Sequence, residues 1–424
     1  MNFTLISNIF EPHVRGGYEL GCQAIARRLA DSGHSVTVLT SPAPGALHKT
    51  AGTNGLNVRR IFEPVFEYED GLSGIFARNP FWHRRVDNAF GGVLPANVIA
   101  LDEYFSAHPP EVIWLFNPLG LGPVGIVETI ARQSARCLIH LMDHIDGGIV
   151  AHQHFHFYSG RWRRIKRRLT AISCSVKMRA SNEQLGPYRQ HHVIYNGFSP
   201  REIPEASRPN PPAGPFRFVY FGQFSREKGL PQVVRAFASF LRGKPAMECG
   251  LDLFGKGGPA FESELREQIR RENVAGRVRW QGFTPKDELL RRLHEYDAAI
   301  MLLNPSEPFG YAPLEAACAG LAVITTADTG IGEIFPPTYP LLVANRDDTS
   351  AVKKKMEWCV THRGELRSVA GQLWTHLAAQ CDFDHVTMPA YLKAIEACPV
   401  NHPLPGATEL LAANATVEFA SHFH

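Results

Sequence analysis

Short apolar runs separated by longer stretches of helix-like sequence set the rhythm of this chain. Residues 3–9 form an apolar run, a glycine-containing loop follows, and residues 20–32 read as a helix. Gly33 then serves as a stop, and S-V-T-V-L-T at residues 35–40 reads as the next strand. The same rhythm returns at residues 112–116, 137–142 and 171–173. Strand alternating with helix is the pattern of a parallel sheet covered by helices on both faces.

The pattern breaks near residues 196–214. Tyr195, Asn196 and Gly197 close one unit, and residues 204–215 are rich in proline and short polar side chains, as a linker would be. Beyond them F-R-F-V-Y-F at residues 216–221 opens a second series, with strands expected at 251–254, 278–282, 298–303 and 322–325. The predicted fold is α/β: two Rossmann-like domains, 1–198 and 199–384, facing across a cleft, with ligands at the strand C-termini. Residues 384–397 are helix-like, so a closing helix is placed at 385–398. Residues 399–424 carry no periodic pattern beyond one short Ala/Leu stretch and are expected to form a poorly ordered tail.

Composition narrows the class without naming it. A chain of 424 residues is long for one core and fits two domains. Hydrophobic residues at 44 % and charged residues at 20 % describe a globular protein, and a formal charge of +3 is too small to argue for a nucleic-acid partner. The eight cysteines form no C-x-x-C pair, which favours free thiols in a reducing cytosol over a disulfide framework. The start lacks the cationic and apolar character of a signal peptide. No apolar run approaches the roughly 18–20 residues of a membrane span, and the longest candidate, residues 112–127, is broken by Asn117, Pro118 and Pro123. A cytoplasmic protein is expected, either soluble or peripheral at the inner face of the membrane.

The densest chemistry lies between Glu307 and Glu315. Residues 304–320 read as a tight loop entering a helix, with Gly310 suited to the turn, Pro313 to the first helical position and Glu315 to the first turn. Free N–H groups at such a helix end favour an anion, so one carboxylate before the loop and one after it can flank a bound phosphate. The plainer reading is an acid-capped helix. A second loop, F-G-Q-F-S-R-E-K-G at residues 221–229, carries Arg226 and Lys228 beyond a strand end, where cations can neutralise a diphosphate or merely face solvent. Gly16 and Gly17 lie between the first strand and helix, as a phosphate-approaching turn or a plain one. Thr284, Pro285 and Asp287 fit the N-cap, first and third positions of a helix.

The segment from Glu307 to Glu315 resembles the E-x7-E signature of retaining nucleotide-sugar glycosyltransferases, specifically glycosyltransferase family four with the two-domain GT-B fold. The resemblance covers roughly residues 1–395, is densest from 216 to 335 and weakest between 41 and 110. It implies a sugar transfer from a nucleoside-diphosphate sugar to an acceptor hydroxyl with retained anomeric configuration and no metal cofactor. It implies a catalytic set of Glu307, Lys228, Arg226, Asp143 and His144. Donor phosphates would meet Gly16, Gly17, Gln223, Arg226, Lys228, Gly310 and Tyr311. The donor sugar would meet Glu307, Pro308, Phe309 and Gly310, and the nucleoside Gly255, Phe283, Leu314 and Glu315. Asn117, Asp143 and His144 would form the acceptor side, and the final helix would cross back to the first domain.

Two positions depart from the family pattern. Gln223 stands where an arginine is usual, with Arg226 three residues on as a candidate replacement. Met142 stands where a histidine is usual, beside Asp143 and His144, which read either as acceptor contacts or as a structural pair. A phosphorylase or epimerase on the same fold, and a catalytically silent sugar-nucleotide- or glycan-binding protein, are therefore the alternatives. Of the five histidines between residues 140 and 156, His152, His154 and His156 could share a face, but no fourth ligand of sensible spacing for a metal lies nearby. Asp382-Phe383-Asp384 reads as an accidental D-x-D, and Ser173 and Asn196 as structural. The basic run from Arg161 to Arg168 reads by default as a solvated helix face. Its alternative is contact with an anionic membrane surface or a lipid-linked acceptor.

Overall fold

The computed structural model describes residues 1–12, 16–42, 56–63, 92–151, 155–199, 214–244 and 246–402. Residues 200–213, which include most of the expected linker of 204–215, the part of the expected tail beyond 402, much of 43–91, and His152 and His154 of the histidine cluster lie outside the described residues. The chain divides into two compact units. One holds Met1–Cys174, Met178–Ile194 and the segment from Ala390, and the other holds Ser175–Lys177 and Tyr195–Pro389.

The first unit is built on seven parallel strands, β1 (Asn2–Ser7), β2 (Ser35–Thr40), β3 (Asn57–Arg60), β4 (Val112–Asn117), β5 (Arg136–Leu141), β6 (Thr170–Ser173) and β7 (Gln190–Val193). Their order is β3-β2-β1-β4-β5-β6-β7. Leu5 of β1 pairs with Val38 on one side and Trp114 on the other. Phe3, Leu5, Leu115, Leu138 and Ile139 are fully buried, because helices cover both faces of the central strands and leave no polar side. The first helix, Gly17–Asp31, starts three residues before the expected Leu20. The reason is the half of a capping box that a glycine allows: the N–H of Gly16, the extended N-cap, donates to Glu19 Oε2 at 2.7 Å, so the helix can begin at Gly17.

Residues after Ala390 complete this unit. The helix Met388–Ala397 sets Tyr391 edge-on to Trp114 (5.3 Å between ring centres) and to His140 (5.5 Å), while Phe116 stacks on His140 at 5.1 Å. The Asn401 N–H then donates to the Ala135 carbonyl at 3.0 Å. Ahead of that helix, residues 383–387 form a single π turn rather than the expected start of one continuous helix. Asp382 caps it by accepting from the N–H groups of Asp384 (3.0 Å) and His385 (2.9 Å), which gives the D-x-D spelling a structural role.

The second unit has six parallel strands, β8 (Phe216–Phe221), β9 (Cys249–Phe254), β10 (Val278–Gly282), β11 (Ala298–Met301), β12 (Ala322–Thr326) and β13 (Leu342–Val343). Their order is β10-β9-β8-β11-β12-β13. The helix Leu230–Leu241 buries Val233, Val234, Phe237 and Phe240, the i, i+1, i+4, i+7 stripe of an element laid on a sheet. Asp252, fully buried in β9, accepts from Arg279 Nε (2.7 Å), the Tyr296 hydroxyl (2.8 Å), Arg217 (2.9 Å) and Gln281 (3.0 Å), as a buried carboxyl group requires. All eight cysteines are buried thiols outside any disulfide, and no helix among the described residues is long and apolar enough to cross a membrane.

Candidate active site

In a sheet ordered β10-β9-β8-β11, the chain winds in opposite directions on either side of β8 and β11, and the strand ends there leave a crevice. The candidate residues of the second unit gather at this edge. Gln223, Arg226 and Lys228 follow β8, Gly255 follows β9, Phe283 follows β10 and Glu307 follows β11. The loops are laced together: Gly222 N–H donates to the Phe254 carbonyl (3.0 Å), Gly255 N–H to Gly282 (2.8 Å) and Phe224 N–H to Lys256 (2.9 Å).

Lys228 and Glu307, 79 residues apart, meet at this edge. Lys228 Nζ donates to Glu307 Oε2 at 2.6 Å, with the lysine 31 % and the glutamate 14 % exposed. Two glycines make the approach possible. Gly229 sits at φ +71, and a Cβ there would fall 1.8 Å from the Leu302 carbonyl oxygen, so the turn behind Lys228 lies flat on the end of β11. Gly310 sits at φ +100, where a Cβ would meet Leu303 Cδ1 at 2.5 Å, and it turns the chain into the helix Tyr311–Cys318. Beneath the pair, burial and the Glu307 carboxylate push the Tyr220 phenol up, so it stays neutral and donates to the Gln223 carbonyl at 2.9 Å.

Two helix starts differ from expectation. The helix after Gly310 begins at Tyr311, which makes Pro313 its third residue and puts Glu315 in the second turn. Gly310 itself supplies the reversal, and proline is tolerated there because the first four N–H groups of a helix have no internal partner. Likewise the helix Lys286–Arg292 begins one residue late, with Pro285 at the N-cap, no side-chain cap from Thr284 and Asp287 in the second position.

The remaining second-unit residues divide clearly. Glu315 Oε1 lies 3.2 Å from Lys286 Nζ, whose ammonium also sits 4.8 Å over the Phe198 ring. Phe283 is 66 % exposed, with Lys256 Nζ 5.1 Å over its ring. Phe309 and Leu314 are buried in the core, while Pro308 offers its carbonyl to the Ser175 hydroxyl at 2.7 Å. Tyr311 is half-buried, its ring 5.8 Å from that of Phe309. Arg226 does not join Lys228: its guanidinium is exposed and paired with Glu264.

The first unit repeats the arrangement on its own sheet. Its winding reverses between β1 and β4, and there the Asn8 N–H donates to the Asn117 carbonyl (2.9 Å) and Asn8 Nδ2 to Leu119 (2.9 Å). Gly16 and Gly17 follow β1, and the Gly16 N–H is occupied by Glu19. Asp143 and His144 follow β5. The Met142 N–H donates to the Tyr18 hydroxyl at 2.7 Å, and burial together with the Asp143 carboxylate pushes that phenol well up. His144 Nδ1 lies 2.5 Å from Ser181 Oγ. Asn182 donates to the Asp143 carbonyl (2.9 Å) and accepts from the Asp146 N–H (3.2 Å).

The basic run is only partly solvent-facing. Trp162 and Lys166 are fully buried, and both reach Asp146 at 2.7 Å, the Lys166–Asp146 pair having no exposed atoms. Arg161 pairs with Glu128 and Arg168 Nε donates to the Ala131 carbonyl (2.8 Å), which leaves Arg163, Arg164 and Arg167 exposed. The expected solvated face is thus only half of the run. No sequence signal exposed this, because helical basic runs read as solvent-facing.

Ser173, His191 and Glu183 also line up, with Ser173 Oγ donating to His191 Nε2 (2.7 Å) and His191 Nδ1 to Glu183 (2.7 Å). The hydroxyl is fully buried, so this is a structural relay closed to substrate. Burial pushes His191 down to about 4 against the opposing pull of Glu183. Between that value and its usual ~6.5 the unfolded chain binds a proton the folded one refuses. The stability contribution is therefore complete above about pH 6.5 and lost as pH falls toward 4. Urea melts are expected to show a decline of about 2–3 kcal/mol between pH 7 and pH 4.5, flattened in His191→Gln.

Among the described residues no three His, Cys, Asp or Glu side chains gather in a metal-ligating group. Residues 202–372 match the family model of glycosyl transferases group 1. A glycogen synthase of Mycobacterium tuberculosis is 35 % identical over 164 residues, 38 % of this chain and 38 % of that one, so the match spans well under half of the relative. A sucrose-phosphate synthase structure from Thermosynechococcus elongatus superposes with a TM-score of 0.72 at 18 % identity, covering 94 % of this chain and all of the other. HepE of Anabaena, in complex with UDP and glucose, superposes with a TM-score of 0.64 at 18 % identity over 94 % of this chain and all of that one. Most of the second unit thus matches glycosyl transferases group 1, in a chain built from the two parallel-sheet α/β domains of GT-B glycosyltransferases.

Proposed function

We propose that this protein is a metal-independent, retaining glycosyltransferase that moves a sugar from a nucleoside-diphosphate sugar to an acceptor hydroxyl. The observation that carries the reading is the Lys228–Glu307 contact of 2.6 Å at the β8/β11 edge, inside the segment that matches glycosyl transferases group 1. The UDP and glucose held by a neighbour of the same fold support the donor class.

Lys228 and Glu307 form an ion pair at this edge. A nucleotide sugar offers each a better partner: the diphosphate takes the ammonium, and sugar hydroxyls donate to the carboxylate. As the bond from the anomeric carbon to phosphate lengthens, negative charge grows on the diphosphate, and Lys228 with the N–H groups around Gly310 stabilises it. The acceptor oxygen bonds the anomeric carbon from the same face and its proton passes to the departing phosphate, so the electron count closes without a separate base. Glu315 would hold the ribose in exchange for Lys286. Asn117, Asp143 and His144 would receive the acceptor. Any contact with an anionic membrane surface falls to the exposed Arg163, Arg164 and Arg167.

Calorimetry of nucleoside diphosphates and their sugars in EDTA tests the donor assignment. One base family is expected to bind, and ligand at 100 times its dissociation constant to stabilise the fold by about 2.7 kcal/mol. Failure of every nucleotide, with and without divalent metal, would sink the reading. Binding without transfer to any acceptor would favour a silent binding protein.

A further inference from the structure

Arg346 has no part in the transfer chemistry described for Lys228 and Glu307, yet it touches the loop that carries Lys228. It is half-buried, in the turn between β13 and the helix Thr349–Thr361. Its Nη1 donates to two successive carbonyls, those of Glu227 (2.8 Å) and Arg226 (3.3 Å), immediately before Lys228. The Arg226 carbonyl also accepts from the Gly229 N–H at 3.1 Å, and the Lys228 N–H donates to Ser225 Oγ at 3.2 Å.

The turn that carries Arg346 is itself held. The Asp347 N–H donates to Asn345 Oδ1 (2.9 Å), and the Asp347 carboxylate accepts from Gln232 Nε2 at 2.9 Å. Gln232 belongs to the helix Leu230–Leu241, which begins right after Gly229. A fixed guanidinium therefore grips the backbone just ahead of Lys228, while the Gly229 contact with Leu302 grips it just behind. The side chain of Arg226, by contrast, is turned to Glu264.

From this we infer that Arg346 is a positioning residue for the phosphate site, holding the 226–228 turn so that the Lys228 ammonium meets the diphosphate. The inference rests on the nucleotide-sugar reading. It also explains how a loop with Gln223 in place of an arginine keeps one well-aimed cation. A planar guanidinium can serve two carbonyls at once, which a lysine ammonium on a flexible stem does poorly.

The test titrates UDP, ADP and GDP, and the matching nucleosides by competition, against the natural protein, Arg346→Ala and Arg346→Lys. The diphosphate that binds is expected to weaken about ten-fold, equivalent to about 1.4 kcal/mol, in both variants. Nucleoside affinity is expected to stay unchanged, with faster amide exchange at residues 226–229. Recovery in Arg346→Lys would mean that charge alone matters and would overturn positioning. Undiminished diphosphate binding in Arg346→Ala would overturn it too. So would an equal loss for nucleoside and diphosphate together with a lowered thermal midpoint. Absence of binding to the natural protein would instead remove the donor reading, and this inference with it.

Discussion

Lys228→Ala is expected to lower turnover of the nucleotide sugar by about 10²- to 10³-fold, the loss typical of one preorganised donor aimed at developing charge. The effect should fall mainly on kcat, because the phosphate charge the ammonium meets is larger in the transition state than in the bound donor. The fold should survive. Lys228 is one-third exposed, and its removal leaves Glu307 beside solvent rather than sealed in a core. Steady-state kinetics with a circular-dichroism melt separates the two outcomes. An unchanged kcat in a folded variant would remove Lys228 from the chemistry.

Lys166→Ala should instead show itself in stability. The pair it breaks has no exposed atom, and among the described residues Asp146 would keep the Trp162 N–H (2.7 Å) and the Leu185 N–H (2.9 Å) as donors. An uncompensated buried carboxylate costs about 3–5 kcal/mol. Burial lowers the Lys166 pKa while the Asp146 carboxylate holds it up, so the buried ammonium depends on that partner. Adding Asp146→Asn to Lys166→Ala should recover part of the loss, because the amide carries no charge to strand. Urea denaturation of the single and double variants measures this. A loss below about 1 kcal/mol in the single variant would mean that water reaches the pair. The consequence extends to the strand end, because Lys166 also holds the Asn182 carbonyl (2.6 Å) and Asn182 holds the Asp143 carbonyl (2.9 Å).

How far the sequence announced these features depends on what kind of signal each leaves. The central strands were legible because burial on both faces demands unbroken apolar runs, as in V-I-W-L-F of β4. Edge strands carry no such demand: β3 reads N-V-R-R and β7 reads Q-H-H-V, each half-buried, and neither stands out from loop. Loop chemistry was legible at Gly310 and around Lys228, where glycines and charges cluster within a few residues. Partnerships across the sheet were not. Nothing local links Lys286 to Glu315, Arg346 to Glu227 or Tyr18 to Met142, since each depends on which strand ends become neighbours. The buried half of the basic run was hidden for a similar reason, its partner Asp146 lying 20 residues upstream.

The first unit is assembled from both ends of the described chain, and this bears on its synthesis. Tyr391 packs on Trp114 of β4 and His140 of β5, and Val400 and Asn401 join the backbone at the start of β5, yet they leave the ribosome roughly 200 residues after β7. At about 5–20 residues per second that gap is about 10–40 s. Throughout it Trp114 and His140 lack their covering tyrosine, while the second unit can already complete its own sheet. The nascent protein therefore passes through an interval when its earliest-made half is the less finished one, with an aromatic surface open to chaperones or to neighbouring chains.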